Sequence, residues 1–123
     1  VEDQKAFDRG LNNTTTARDL AVLLAAIAQG RAASDSSSAI MLDILTQQEF
    51  RAGIPAGIPP GTRVASKTGN ITGVNHDAAV IFPPARPPYV LVILTRGFAS
   101  PDAAEAYMAA VSRTVWAGLV GVP

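Results

Sequence analysis

The stretch R-V-A-S-K-T-G-N-I-T-G-V-N-H-D-A-A-V-I-F-P, residues 63–83, decides how this chain is read. Val64 and the residues around it have the composition of a strand, Arg63–Thr68. Asp77–Phe82 reads as a second strand, and the polar, glycine-bearing stretch 69–73 between them reads as a turn. One of only two lysines in the chain, Lys67, stands in the first strand. Behind it come a small hydroxyl, Thr68, and a residue without a side chain, Gly69. An ammonium there places positive charge in apolar surroundings. Thr68 offers a donor to an anion. Gly69 lets a ligand backbone lie close alongside, and the main-chain N–H of Asn70 suits a developing oxyanion. Together the four residues would hold an extended, acylated ligand with a terminal carboxylate, partly by strand addition. The plain alternative is a surface strand ending in a turn, since Lys-Thr-Gly is common by chance.

Outward from this hairpin the pattern stays regular. Y-V-L-V-I-L-T, residues 89–95, reads as a third strand. Its unbroken apolar run predicts burial on both faces, a central place in the sheet, and further sheet beside it. G-I-P-A-G-I-P-P-G, residues 53–61, is a loop by composition. Upstream, Thr16 caps a helix with Asp19 three residues on, and Leu20, Leu23, Leu24 and Ile27 recur at helical spacing. A second helix is predicted from about Ser37 to Gln48, with Ile40, Met41, Ile44 and Leu45 as its apolar stripe. The serines at 34 and 36–38 form its cap and approach. Downstream, Ser100 caps a last helix with Pro101 at its first position. Ala104, Met108, Val111, Val115 and Leu119 give that helix a core face. The order helix, helix, three antiparallel strands, helix is an α+β pattern.

Bulk composition narrows the function classes. The 123 residues suffice for one small domain, and 48% hydrophobic residues suffice for a core. Ten basic and ten acidic residues give a net charge of zero, with no basic run to engage nucleic acid or an anionic membrane. The chain has no cysteine and one histidine, which argues against a thiol nucleophile and a structural metal. No stretch reaches the roughly 20 apolar residues of a membrane span. The amino terminus, V-E-D-Q-K-A-F-D-R-G, carries neither Met nor a signal-peptide pattern, so the expectation is a piece of something longer.

Several motifs in one order resemble the carboxy-terminal part of the serine β-lactamase and penicillin-binding superfamily, in particular its class A-like enzymes. T-T-A-R-D-L-A at 15–21 looks like that family's threonine-capped helix, and R-A-G-I-P-A-G at 51–57 its approach to the active-site strand. K-T-G at 67–69 is followed by H-D-A-A-V-I-F-P-P at 76–84 and R-P-P-Y-V-L-V-I-L-T at 86–95. The resemblance implies that residues 1–123 are a single partial domain. Lys67 and Thr68 would bind and polarise the substrate, a β-lactam or a D-alanyl peptide of the cell wall. The Asn70 N–H would form half of the oxyanion hole. It further implies an extracytoplasmic setting and no cofactor.

The family's nucleophile motif S-x-x-K is missing. Three residues before the two lysines, Lys5 and Lys67, stand Glu2 and Val64. A serine without a paired base is a weak nucleophile, so the chain alone is expected to be inactive, the missing amino-terminal segment being its natural partner. There is no S-D-N either; Ser34-Asp35-Ser36 reads as a helix cap. D-R-G-L-N at 8–12 resembles the family's E-x-x-L-N, which would make Asp8 a shortened deacylation base; the alternative is a solvated loop residue. His76, one strand away from Lys67, is either a satisfied strand histidine or a support for the substrate carboxylate. Arg96, Tyr107 and Trp116 read as surface charge and packing. A second function class stays open beside the hydrolase: a non-catalytic module that pairs with another copy of itself along the edge beside residues 89–95.

Overall fold

A computed structural model describes residues 4–11 and 13–121. Helix α1 spans Gln4–Asp8, α2 Ala17–Ala28, and α3 Asp35–Thr46. A 3-10 turn follows at Ile54–Gly57, then strands β1 (Arg63–Ile71), β2 (Val74–Phe82) and β3 (Tyr89–Arg96), and finally α4 (Pro101–Leu119). The strands form one antiparallel sheet in the order β1-β2-β3.

The local signals explain most element starts. The Thr16 hydroxyl accepts from the Asp19 N–H at 3.1 Å and donates to the Asp19 carboxylate at 2.8 Å, closing the cap of α2. Ser34 caps α3 by accepting from the Ser37 N–H at 3.2 Å, so that helix begins two residues earlier than predicted. Ser100 does the same for α4 through the Ala103 N–H at 3.2 Å, with Pro101 in the first turn. These caps satisfy amide donors that a helix start otherwise leaves open.

Period-2 alternation divides the sheet into two faces. Val64, Ala79, Ile81 and Ile93 point toward α4 and the 3-10 turn, where Ile54, Ile58, Met108 and Trp116 complete a buried cluster. Ala65, Ala78 and Val80 point the other way, onto Leu24 and Ile27 of α2 and the partly buried Met41, Leu42 and Leu45 of α3. Each fully buried Ile, Val or Met contributes about 1.5–3 kcal/mol relative to exposure. The sheet is thus covered on both sides, with α2 and α3 on one and α4 on the other.

Four expectations change. Among the described residues Tyr89–Thr95 is not the middle strand: β3 lies at the edge and β2 in the centre. Its apolar run reflects helices over both faces, α2 on one and α4 on the other; a strand's neighbours in the sheet are a separate matter. The stripe assigned to α3 is rotated. Ile40 and Ile44 are 61% and 63% exposed, while Leu42 packs inward with Met41 and Leu45. On α2, Leu23 is exposed, and so is Leu119, expected on the core face of α4. The loop at 53–61 holds the 3-10 turn Ile54–Gly57, which proline at its start permits.

Gly57 fixes that turn against α4. A Cβ there would meet the Ala109 carbonyl oxygen at 2.3 Å and the Ser112 Cβ at 2.7 Å, so only glycine allows the two backbones to approach this closely.

Candidate active site

β1 runs longer than the sequence suggested. Pairing continues from Arg63↔Phe82 through Lys67↔Ala78, Thr68↔Asp77, Gly69↔His76 and Asn70↔Asn75 to Ile71↔Val74, leaving only Thr72 and Gly73 as the turn. Polar residues 68–70 do not end the strand because they stand at its outer end, where side chains are half-buried or exposed. β1 has a strand on one side only among the described residues. Lys67, Thr68, Gly69 and Asn70 therefore lie in sequence along an outer strand, beside backbone that a ligand can reach.

Alternation sends these side chains to opposite faces. Lys67 and Gly69 share the α2–α3 face; Thr68 and Asn70 share the α4 face. Lys67 is exposed, and its ammonium donates to the Thr68 carbonyl at 2.5 Å. Thr68 is half-buried, while Gly69 and Asn70 are exposed. A Cβ on Gly69 would come no nearer than 3.9 Å to the His76 side chain. The glycine thus leaves open space above the strand, with no packing against it.

His76 is tied into the sheet. The Thr95 N–H of β3 donates to its Nδ1 at 3.0 Å, and the Asn75 carbonyl lies 2.9 Å from the same nitrogen. The ring bridges β2 to β3 and stands across from Gly69 on the Lys67 face. Asp8 ends α1 and is exposed. Asn12, the last residue of its motif, lies outside the described residues. Ser34 and Asp35 open α3 as cap and first residue. Arg96 is exposed at the end of β3, and Trp116 is buried in the core.

Sequence reading missed Asp77. It is the direct cross-strand partner of Thr68 and lies on the same, α4-covered face. Only 1% of it is exposed. Its Oδ2 accepts from the Ile54 N–H at 2.8 Å, while Oδ1 has no partner. Burial pushes its carboxyl up from 3.8 to about 6. Hydrogen bonds from the Ile54 and Ala78 backbone and the charge of Lys67 pull the other way, and Glu105 adds to the rise. Gly53 makes room for it, since a Cβ there would lie 2.6 Å from Oδ2. The carboxylate thus pins the 3-10 turn to the strand directly behind Thr68. The one available signal was parity: Asp77 falls in step with Ala79 and Ile81, the inward residues of its strand.

Comparison with known proteins agrees with this architecture. A family model described as the β-lactamase enzyme family matches residues 1–119. A β-lactamase of Bacillus amyloliquefaciens is 36% identical over 98 residues, which are 76% of this chain and 31% of the relative. A β-lactamase of Streptomyces fradiae is 48% identical over 65 residues, 51% of this chain and 20% of that protein. Among solved structures, an ancestral class A β-lactamase superposes with a TM-score of 0.80 at 34% identity, over 89% of this chain and 43% of its own. A structure of PBP-A gives 0.79 at 35%, over 90% and 42%. The β-lactamase from Sphaerobacter thermophilus gives 0.79 at 32%, over 85% and 40%. The chain therefore spans under a third of the curated relatives it matches. With residues 1–119 under the family model and the three-stranded sheet shared, the chain belongs to the β-lactamase enzyme family.

Proposed function

We propose that this chain is the carboxy-terminal segment of a β-lactamase-like serine acyl-hydrolase and supplies one wall of its active site. The observation that carries the reading is the run Lys67–Asn70 on an outer strand whose second edge bears no strand among the described residues. The substrate is a β-lactam or a D-alanyl peptide. Its carboxylate takes a hydrogen bond from the Thr68 hydroxyl and the field of the Lys67 ammonium. Its reacting carbonyl lies at the Asn70 N–H. That donor meets the negative charge that develops as a serine oxygen adds to the carbonyl carbon. The serine belongs to a segment carrying S-x-x-K, outside these 123 residues. The resulting serine ester is released by water. His76, on the Lys67 face, ties β2 to β3 beside the site. Asp8, in the place of the family's deacylation base, would activate the deacylating water. The site would work outside the cytoplasm; no helix among the described residues is long and apolar enough to cross a membrane.

The test joins an S-x-x-K segment, taken from the Bacillus amyloliquefaciens relative, to this chain. Covalent labelling by a fluorescent penicillin is expected, together with its loss in Lys67→Ala. A folded hybrid that never labels would sink the reading.

A second reading has its own observation. β3 is mostly apolar, and its outer edge is unpaired among the described residues. Such an edge templates pairing with another chain, here a second copy. Sedimentation equilibrium decides it: a dimer supports a self-associating module, and a strict monomer removes it.

A further inference from the structure

Among the described residues, Asp77 is the one ionisable side chain that is buried. The reaction proposed above gives it no part. Its Oδ2 accepts from the Ile54 N–H at 2.8 Å, and its Oδ1 has no partner. A buried oxygen left so calls for an explanation. The register puts Thr68 directly opposite Asp77 and Ser66 on the diagonal, both on the α4 face. Residues directly opposite in an antiparallel pair have Cβ atoms about 5 Å apart, a span that a carboxyl oxygen and a hydroxyl oxygen can close. Ser66 is fully buried and its hydroxyl also lacks a partner. Thr68 is half-buried and can be reached from outside.

The two protonation states of Asp77 treat Thr68 differently. A neutral carboxyl that accepts at Oδ2 carries its proton on Oδ1 and needs an acceptor. The Thr68 oxygen can serve, and the Thr68 hydroxyl proton then points away from Asp77. An ionised carboxyl has no proton to give. Its Oδ1 competes as an acceptor for the Thr68 proton, and its charge stands directly behind that hydroxyl. The charged groups that act on Asp77 are Lys67 of β1, which lowers its proton affinity, and Glu105 of α4, which raises it. The 3-10 turn meets it through the Ile54 backbone, and His76, its neighbour in β2, points to the opposite face. Burial outweighs the rest and brings the carboxyl to about 6.

We propose that Asp77 is a positioning residue for the ligand carboxylate and acts on it through the Thr68 hydroxyl. Protonated, Asp77 turns that hydroxyl outward to the ligand; ionised, it draws the hydroxyl back. The proposal rests on reading β1 as the substrate wall. The proton exchanges with solvent, and no bond of the ligand changes. Carboxylate binding is therefore tighter below about pH 6 and weakens as pH rises through it. By reciprocity the ligand raises the proton affinity of Asp77 by the same factor.

The experiment titrates the ¹⁵N-labelled chain with N-acetyl-D-Ala-D-Ala at pH 5 and at pH 7.5, between which the peptide carboxylate stays charged. Binding is read from the backbone signals of Lys67–Asn70, in wild type and in Asp77→Asn. Asparagine accepts from Ile54 and donates at its other end, so it stands in for the protonated acid at both pH values. Every other titrating group, His76 included, is common to the two proteins. Between pH 5 and pH 7.5, wild type should lose about three- to ten-fold in affinity relative to Asp77→Asn. In wild type alone, saturating peptide should raise the midpoint of the Asp77 ¹³C-carboxyl titration by about half to one pH unit. That second reading decides the matter should Asp77→Asn fail to fold. A proton passed to Ser66 gives no such movement, because Ser66 is sealed from the ligand. An affinity ratio that ignores pH, or a midpoint that ignores the peptide, would overturn the role of Asp77 while leaving the wall intact. Silence of Lys67–Asn70 in both proteins at both pH values would overturn the wall, and this role with it.

Discussion

Replacing Asp77 by asparagine should remove one large contribution to the pH dependence of stability. The Asp77 carboxyl is buried, holds the Ile54 N–H at 2.8 Å, and has its other oxygen unpartnered. Its value of about 6 stands well above the ordinary 3.8. At about 1.36 kcal/mol per tenfold change in proton affinity, the difference between 3.8 and about 6 corresponds to about 3 kcal/mol. The sign follows from linkage. The folded state holds this proton more tightly than the unfolded chain does, so stability from this group is full below about pH 4. It is lost as pH rises through about 6. Asparagine keeps an oxygen for Ile54 and never charges. Urea unfolding, followed by fluorescence of the single tryptophan, Trp116, in the core, measures both proteins from pH 4 to pH 7. Every other titrating group is common to the two proteins. The stability of Asp77→Asn relative to wild type should therefore rise by about 2.4 kcal/mol across that range, most of the full difference. A relative stability that stays constant, or falls, refutes the argument that burial dominates at this carboxylate.

Other changes test the packing and the site. Gly57→Ala drives a methyl group to 2.3 Å from the Ala109 carbonyl and should cost about 3 kcal/mol, the upper range for overpacking, read from the urea midpoint. Ile54→Ala empties the centre of the larger core cluster and should cost about 2–5 kcal/mol in the same assay. Ser100→Ala removes the cap of α4 and should cost about 1 kcal/mol, with helical circular dichroism unchanged before unfolding begins. In the S-x-x-K hybrid, Thr68→Val keeps the shape but loses the hydroxyl, and should slow penicillin labelling by about tenfold or more without altering stability.

The sequence was most legible where a local signal and a tertiary role coincide. Thr16, Ser34 and Ser100 announce their helices because a cap is chosen by neighbours three residues away. The hairpin was legible because 63–68 and 77–82 flank a glycine-bearing stretch, although pairing carries both strands on to Ile71 and Val74. Legibility failed where partners are distant. Ile40 and Ile44 share a helical face, but which apolar face is covered depends on where β1 passes, and Leu42 lies on the covered side. β3 resembled a central strand because two helices hide its faces, and the polar start of β2 disguised the strand that is central. Asp77 was overlooked because its partner, the Ile54 N–H, is 23 residues away. Lys67–Asn70 lie together because one continuous strand supplies all four residues.

The sheet order has a kinetic meaning. Among the described strands only β2 is bonded along both edges, so its amides should exchange with solvent last, and those of β1 and β3 earlier, by local opening. The strand bearing Lys67 thus belongs to the margin of the sheet, able to loosen while β2 and β3 stay in register. A ligand that paired along the free side of β1 would turn a peripheral strand into an interior one. Capture of the ligand and stiffening of the surface that holds it would then be a single event.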